Sequence, residues 1–309
     1  MTEALPAAAD MSAALVAPRP RRGPHPLLRR ALLTLAGVLV LMLVWEAYKA
    51  VGPAAGVRVA GTLVLPRTDD GDMPHVWTTA AELLRPISSL PGSTTVGAAV
   101  LAASVTTLAI AAQGFAIGLV AGAALALLMA RFRIAERGLL PWIVLSQTVP
   151  LIALAPLVVI WGSALPGWTS WSSVAVIAAY LAFFPVSVGL LRGLESPEAV
   201  HRDLFDAQGA GWWRTLIHLR LPASVPFLLP ALRLAAASAV VGTVVAEVST
   251  GTDGGIGRTI LAFAVQSTGN PARPWAAVLG AVAVGLVTAA LVAAAGRLLL
   301  RFRRAEATA

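Results

Sequence analysis

Six long apolar runs divide this 309-residue chain, and they constrain its fold more than any other feature. They cover residues 31–51, 99–129, 139–161, 174–194, 226–247 and 275–297. The hydrocarbon core of a bilayer is about 30 Å thick, so a helix needs about 20 apolar residues to cross it. Strands of a membrane barrel alternate in polarity and are only about 10 residues long, which excludes that class. The sequence therefore predicts an all-α, polytopic membrane protein with about six transmembrane helices.

The distribution of arginine predicts how these helices are oriented. The net charge is +8, and the arginines collect beside alternate span ends: Arg19, Arg21, Arg22, Arg29 and Arg30; Arg131, Arg133 and Arg137; Arg192, Arg202, Arg214 and Arg220; Arg297, Arg301, Arg303 and Arg304. The loops between these groups carry few or balanced charges. Because cytoplasmic loops are enriched in Lys and Arg, both termini and residues 195–225 are expected in the cytoplasm. The basic charge is thus a membrane signal, and no nucleic acid partner is expected.

The segments outside the later spans are predicted as follows. Residues 1–30 form a disordered basic tail, in preference to a cleaved signal peptide, because the first apolar run is long enough to span. Residues 31–51 form the first transmembrane helix, and residues 52–98 form an extracytoplasmic segment. Within that segment, residues 74–84 predict a short surface helix with Glu82 on its polar face. Residues 301–309 form a second cytoplasmic tail.

Three prolines fall inside or beside the third and fourth apolar runs. Each of Pro150, Pro156 and Pro185 lacks a backbone N–H, so the two helices are expected to be kinked or locally unwound. Broken helices occur at membrane depth where they are buried or line a cavity. The prolines therefore indicate either a transport path or an irregularity of packing.

The chain lacks the motifs of several enzyme classes. Its only lysine is Lys49, so the phosphate-binding motif G-x-x-x-x-G-K-[ST] is missing from these residues. There is no cysteine, and none of the four histidines forms an H-E-x-x-H pair. We expect no catalytic residues, no metal and no cofactor, and a transporter driven by ATP would need a separate ATPase.

A polar segment at residues 203–222, DLFDAQGAGWWRTLIHLRLP, interrupts the apolar pattern. Residues 197–219 predict two short helices joined at 209–211, where glycine allows a turn. Leu221 and Pro222 are predicted to end the second helix before the fifth span. One interpretation is an amphipathic helix lying in the membrane interface, with its Trp and Arg side chains at the headgroups. The other is a docking site for a partner.

The second interpretation is favoured by a resemblance. Gly209 and Ala210, with Trp213 nearby and Leu221-Pro222 at that spacing, resemble the cytoplasmic "EAA" loop of binding-protein-dependent ABC importer permeases. The acidic–Ala–Ala opening of that loop would fall on residues 203–205, where only the acid is kept. The resemblance implies that a short helix of this loop docks on an ATPase subunit, through Asp203, Ala207, Gly209, Ala210, Trp213, Leu221 and Pro222.

The resemblance extends over roughly residues 95–300. Residues 146–150 (SQTVP), 153–157 (ALAPL), 183–185 (FFP) and 254–257 (GGIG) are similar, in order, to segments of the nitrate/sulfonate/taurine-type permeases. This implies a type I ABC importer permease fold, with a permease core at 99–300 and a coupling loop at 195–225. It also implies a multi-pass protein of the bacterial cytoplasmic (inner) membrane, surrounded by the lipid bilayer.

The partners implied by the resemblance are an ABC ATPase subunit, an extracytoplasmic substrate-binding protein and a second permease copy in a homodimer. The implied cargo is a small solute, either nitrate, a sulfonate or taurine, or a vitamin precursor such as a pyrimidine or riboflavin. The alternative from the sequence is a stand-alone channel or secondary transporter.

Polar residues at membrane depth are candidates for the translocation path, because placing them there is costly. Those selected are Gln147, Thr148, Pro150, Tyr180, Thr243 and Glu247. For Glu247 the alternative is a structural acid that caps or pairs near the interface. For the others the alternative is a hydrogen bond between helices.

Overall fold

The computed structural model describes residues 26–59, 61–267 and 269–306. These residues form two units, divided between Thr68 and Asp69. Most of the predicted basic tail, residues 1–25, lies outside the described residues.

The first unit is one long helix followed by a hairpin. Helix α1 (Pro26–Val51) precedes the antiparallel strands β1 (Val57–Val59) and β2 (Thr62–Leu65). Side chains tie the end of the helix to the chain after the hairpin. Tyr48 Oη donates to Pro66 O over 3.0 Å, and Thr68 Oγ1 donates to Gly52 O over 3.0 Å. The hairpin is a small addition to the predicted all-α architecture.

The second unit is helical. It contains α2 (Val76–Glu82), α3 (Val96–Arg131), α4 (Arg133–Ser146), α5 (Leu151–Ser163), α6 (Ser170–Glu195), α7 (Ala199–Ala207), α8 (Trp212–Thr215), α9 (Leu221–Thr250), α10 (Ile256–Val265) and α11 (Ala272–Glu306). Across the described part of the chain, five helices are long and apolar enough to cross a membrane, or six if the bent pair α4–α5 is one span. Helices thus cover all six predicted apolar runs, the third of them as the bent pair. Helix α11 continues to Glu306, into the segment predicted as a tail.

Helices α3, α6 and α9 form the centre of this unit, and small residues let them approach closely. Gly114, Gly118 and Gly122 lie one turn apart on α3 and face α6. A Cβ atom at Gly118 would lie 2.7 Å from the Cβ of Ala182, so a larger residue does not fit there. Apolar burial cannot drive association in lipid, and close packing of small residues replaces it.

The chain bends sharply between α4 and α5. Their axes differ by 104°, and Pro150 is the residue that precedes the first turn of α5. This is a local break of the predicted kind. Helices α5 and α6 continue through Pro156 and Pro185, so the unwinding occurs at Pro150, where the missing N–H coincides with a helix start.

The predicted helix end at Leu221 and Pro222 is wrong. Helix α8 passes through a π turn (Leu216–Arg220) directly into α9. The N–H of Leu221 donates to Leu216 O, five residues earlier. A π turn is wider than an α turn and leaves room for the ring of Pro222, so the helix continues across the proline in the first turn of α9.

Candidate functional site

The connection between α6 and α9 contains the predicted coupling loop, and its first half is a solvent-facing helix. No residue of α7 is buried. Asp203, Ala207 and Gly209 are all exposed, whereas Ala210 is half-buried. The side chain of Leu204 is apolar, yet 53% of its surface is exposed.

A Schellman motif closes α7 and fixes the direction of the chain that follows. The N–H of Gly209 donates to Asp206 O, and the N–H of Ala210 donates to Phe205 O, both over 3.0 Å. These are the two bonds of that motif, and they require the left-handed backbone that glycine adopts readily. Gly209 has φ +65° and open space around its Cα.

The second half of the loop has an inward and an outward face. Thr215 and Leu216 are buried, and Leu216 packs in a core with residues of α3, α4 and α6. On the outward face Trp213 is 70% exposed, and Ile217 and Leu221 follow it at intervals of one helical turn. Together with Leu204, these three side chains form a set of large, solvent-exposed apolar groups on one loop. Pro222 is exposed beside them.

Four of the predicted path residues lie at or next to the bend between α4 and α5. Gln147, Thr148 and Pro150 belong to the break itself, and the hydroxyl of Tyr180 on α6 donates to Ser146 O. Gln147 Nε2 donates to Ser146 Oγ over 3.2 Å, and Thr148 Oγ1 donates to Leu145 O over 2.8 Å. The bend therefore gathers polar groups at the middle of an apolar helix pair.

The two other path candidates lie on α9 and are fully buried. Thr243 Oγ1 donates to Ala239 O, one turn earlier on the same helix, over 2.8 Å. Glu247 has no exposed surface. These side chains are engaged within the protein and lie apart from the bend residues in sequence.

Glu247 holds the first turn of α10. Its carboxylate accepts hydrogen bonds from Thr107 Oγ1 (2.8 Å and 3.0 Å to the two oxygens) and from the N–H of Gly257 (2.8 Å). Thr107 Oγ1 in turn accepts from the N–H of Ile256 over 2.8 Å. A carboxylate at a helix start satisfies donors that have no partner in the helix and lies favourably in its dipole. This geometry corresponds to the capping alternative for Glu247.

Glycine at position 255 makes room for that carboxylate. A Cβ atom at Gly255 would lie 2.1 Å from the carboxylate carbon of Glu247, and one at Gly257 would lie 2.9 Å from the Cβ of Glu247. The glycine-rich stretch 254–257 is therefore shaped by close approach to a buried acid.

A second charged cluster was not found from the sequence. Glu82 was expected on a polar face of a surface helix, but it has no exposed surface, so that expectation is wrong. Its Oε1 accepts from Arg273 Nε over 3.2 Å, and its Oε2 lies 3.3 Å from Arg85 Nη1. Arg273 lies 191 residues away at the start of α11, and no local pattern points to it.

Comparison with known proteins gives relatives of one kind. The chain is 40% identical over 141 residues to the formylaminopyrimidine transport permease protein ThiX of Halalkalibacterium halodurans, covering 46% of this chain and 54% of that protein. It is 30% identical over 121 residues to the riboflavin transport system permease protein RibX of Chloroflexus aurantiacus, covering 38% and 42%. It is 35% identical over 136 residues to the taurine transport system permease protein TauC of Escherichia coli, covering 43% and 45%.

The match spans about half the length of these relatives. A family match covers more of this chain: residues 114–304 match the binding-protein-dependent transport system inner membrane component. That segment includes the bend, the predicted coupling loop, Glu247 and α10. The chain belongs to the family of binding-protein-dependent transport system inner membrane components.

Proposed function

We propose that this protein is the transmembrane permease subunit of an ATP-binding-cassette importer. It forms the translocation path for a small solute that an extracytoplasmic binding protein delivers. ATP is hydrolysed by a separate subunit, and two permease copies form the working pore.

The observation that carries this proposal is the exposed apolar surface of the loop between α6 and α9. Leu204, Trp213 and Ile217 are uncovered on a loop whose inner face is packed into the core. Exposed apolar groups of this size on a rigid support are typical of a protein interface. An ATP-driven importer needs a separate ATPase subunit, because the only lysine of this sequence, Lys49, is not part of a P-loop. We assign the docking of that subunit to the exposed apolar surface of this loop.

The same loop is connected rigidly to the membrane helices, which suits the transmission of movement. The π turn joins α8 to α9 without a flexible link, and α9 packs along α6 through Gly189 and Gly193. A displacement of the loop by a partner would therefore move α9 and, through Glu247, the start of α10. The polar bend between α4 and α5 is our candidate for the wall of the path.

The substrate is proposed only by class. The relatives are named for formylaminopyrimidine, riboflavin and taurine. All three are small polar organic molecules. We propose a solute of this class for this importer, with its selectivity set largely by the binding protein. A binding assay with the cognate binding protein, covering these three compounds and an inorganic anion such as nitrate, tests that proposal, and preference for the inorganic anion would contradict it.

Substitution of Gly209 tests the coupling. Gly209→Arg places a bulky cation where the backbone has φ +65° and the surroundings are open. We expect the variant to insert in the membrane but to retain little ATPase subunit on purification and to lose uptake. Gly209→Asn should behave nearly like the wild type, because Asn tolerates the left-handed conformation.

The control is Gly138→Arg, which also adds an arginine at an exposed glycine with open surroundings. It lies on α4, outside the loop, and should leave ATPase retention intact. If Gly209→Arg transports as well as the wild type, the loop does not couple the protein to an ATPase. A stand-alone channel or secondary transporter then becomes the better hypothesis.

A further inference from the structure

Helix α2 presents its apolar side chains outward and its acid inward. Trp77 is 62% and Leu84 is 82% exposed, and they lie two helical turns apart. Ala80 and Ala81, between them on the same face, are exposed as well. Glu82, on the opposite face, is fully buried. A helix of a water-soluble surface has the reverse arrangement, so the outward apolar face of α2 indicates contact with a partner.

The orientation of α2 is fixed by bonds to two other helices. Glu82 accepts a hydrogen bond from Arg273 Nε at the start of α11 over 3.2 Å. The N–H of Gly97, in the first turn of α3, donates to Leu83 O over 2.8 Å, and a Cβ atom at Gly97 would lie 2.7 Å from that oxygen. Rotating α2 to bury its apolar face would break a buried ion pair. The apolar face is therefore a permanent part of the surface of this chain.

The packing of α3 on α6 shows how far out α2 lies. Gly114 of α3 faces Ala178 of α6, and Gly122 faces Val186, the same number of residues further on along both helices. The two helices therefore run parallel. At a rise of 1.5 Å per residue, about 27 Å of α3 but only about 12 Å of α6 precede the first of these pairs. The start of α3, with α2 beside it, thus lies about 15 Å beyond the start of α6.

Lipid does not reach this far. Helix α6 has 26 residues and is about 39 Å long, which suits a bilayer with a hydrocarbon core of about 30 Å. Helix α9 ends at the same level as α6, because Glu247 in its last turn bonds to Thr107, about 16 Å short of the start of α3. The headgroup region adds only about 5–8 Å on each side. The apolar face of α2 therefore lies beyond the headgroups, where a protein is the fitting partner.

Acidic side chains lie beside this apolar face. The ring of His75 stacks on that of Trp77 with the ring centres 4.2 Å apart, and His75 Nε2 lies 3.9 Å from Asp70 Oδ1. The side chain of Asp70 is 82% exposed. Three aspartates and one arginine between residues 67 and 77 leave a formal net charge of −2. A partner with a basic rim around an apolar contact would complement this charge.

We propose, on the basis of the proposed importer function, that Trp77, Leu84 and the acids Asp69, Asp70 and Asp72 form the docking surface for the extracytoplasmic binding protein. The family of this chain is binding-protein-dependent. The arginine distribution predicts this segment on the extracytoplasmic side, where such a protein arrives. Trp77 is the central anchor, and the aspartates steer the basic rim of the partner towards it.

A fluorescent reporter tests what covers this surface. Because the chain has no cysteine, Leu84→Cys can carry a single environment-sensitive fluorophore. With the chain alone in lipid nanodiscs, we expect the emission of a water-exposed probe. Addition of the cognate binding protein should shift this emission to the blue. An emission that is already blue-shifted before the addition would mean that lipid or a second copy covers the surface, and would overturn the proposal.

Binding measurements on the full chain in nanodiscs test the named residues. Trp77→Ala/Leu84→Ala should bind the cognate binding protein at least about tenfold more weakly, as for loss of a central anchor. Replacing the three aspartates by asparagine should mainly slow association and reduce its dependence on salt. Both variants should insert like the wild type, because the altered side chains are exposed.

The control is Trp161→Ala/Leu165→Ala, which removes the same two side chains from exposed positions near the start of α6. It should bind like the wild type, and an equal loss in the control would mean general apolar contact and would overturn the surface. Equal binding by the wild type and Trp77→Ala/Leu84→Ala would overturn the surface but leave the importer function standing. No binding by the wild type would contradict both.

Discussion

Single residues in this protein act through partners that are remote in the sequence. Glu247 could be selected from the sequence, because an acid at the end of an apolar run is conspicuous. Its partner Thr107 could not be selected, since the hydroxyl of a threonine in a membrane helix usually donates to a carbonyl oxygen of its own helix, as that of Thr243 does. The pairing depends on how α3 and α9 lie together, 140 residues apart in the chain. Sequence reasoning therefore found the acid but not what it holds.

Thr107→Val tests this connection at the residue scale. The variant keeps the shape of the side chain but removes the hydroxyl that joins Glu247 to the N–H of Ile256. We expect the free energy of unfolding to fall by about 1–2 kcal/mol, because a buried donor loses its acceptor. Thr107→Ser should stay close to the wild type. Thermal unfolding in detergent, followed by tryptophan fluorescence, measures both.

The neighbouring Thr106 provides a matched control for that experiment. Its hydroxyl donates to Ala102 O, one turn earlier on the same helix, over 3.2 Å. Thr106→Val removes the same atoms and should change stability little. A similar loss at both positions would show that the hydroxyl of Thr107 has no special role.

At the scale of whole elements, the apolar runs predicted where helices lie but not how their ends join. Span length depends on the bilayer, so composition alone locates α3, α6 and α11. The passage from α8 into α9 depends on a π turn, which has no reliable sequence pattern. The burial of Glu82 likewise depends on Arg273 arriving from α11. Both errors concern contacts that only the folded chain creates.

Arg273→Gln tests how α2 is held to the start of α11. Arg273 is 17% exposed, bonds to buried Glu82, and donates from Nη1 to Ile87 O over 3.0 Å. The substitution leaves the buried carboxylate of Glu82 with only the more exposed Arg85 as an arginine partner. We therefore expect the free energy of unfolding to fall by about 3 kcal/mol. Thermal unfolding in detergent measures the change.

Arg85 is the comparison, because it contacts the same carboxylate from the surface. Its side chain is 62% exposed, and Arg85→Gln should cost less than about 1 kcal/mol. In Glu82→Gln/Arg273→Gln the buried charge is absent, and part of the stability should return. Equal effects of the two single arginine variants would contradict a buried pair.

For the whole molecule, the number of crossings and the side of each terminus are linked. Five spans would put the termini on opposite sides of the membrane, and six would put them on the same side. The deciding element is the bent pair α4–α5, which crosses as one broken span or returns as a re-entrant loop. The arginine distribution predicts both termini in the cytoplasm, and this requires the bent pair to cross.

Single-cysteine labelling can separate these arrangements, because the chain has no cysteine of its own. Gly138 precedes the bend and Leu165 follows it, and both are exposed. If α4–α5 crosses, a membrane-impermeant maleimide applied to intact spheroplasts should label Leu165→Cys. Gly138→Cys should be labelled only after the membrane is permeabilised. Leu204→Cys on α7 should behave like Gly138→Cys, because the arginines flanking both positions predict the cytoplasmic side. Labelling of Gly138→Cys and Leu165→Cys from the same side would make the pair re-entrant, leave five crossings, and place the two termini on opposite sides.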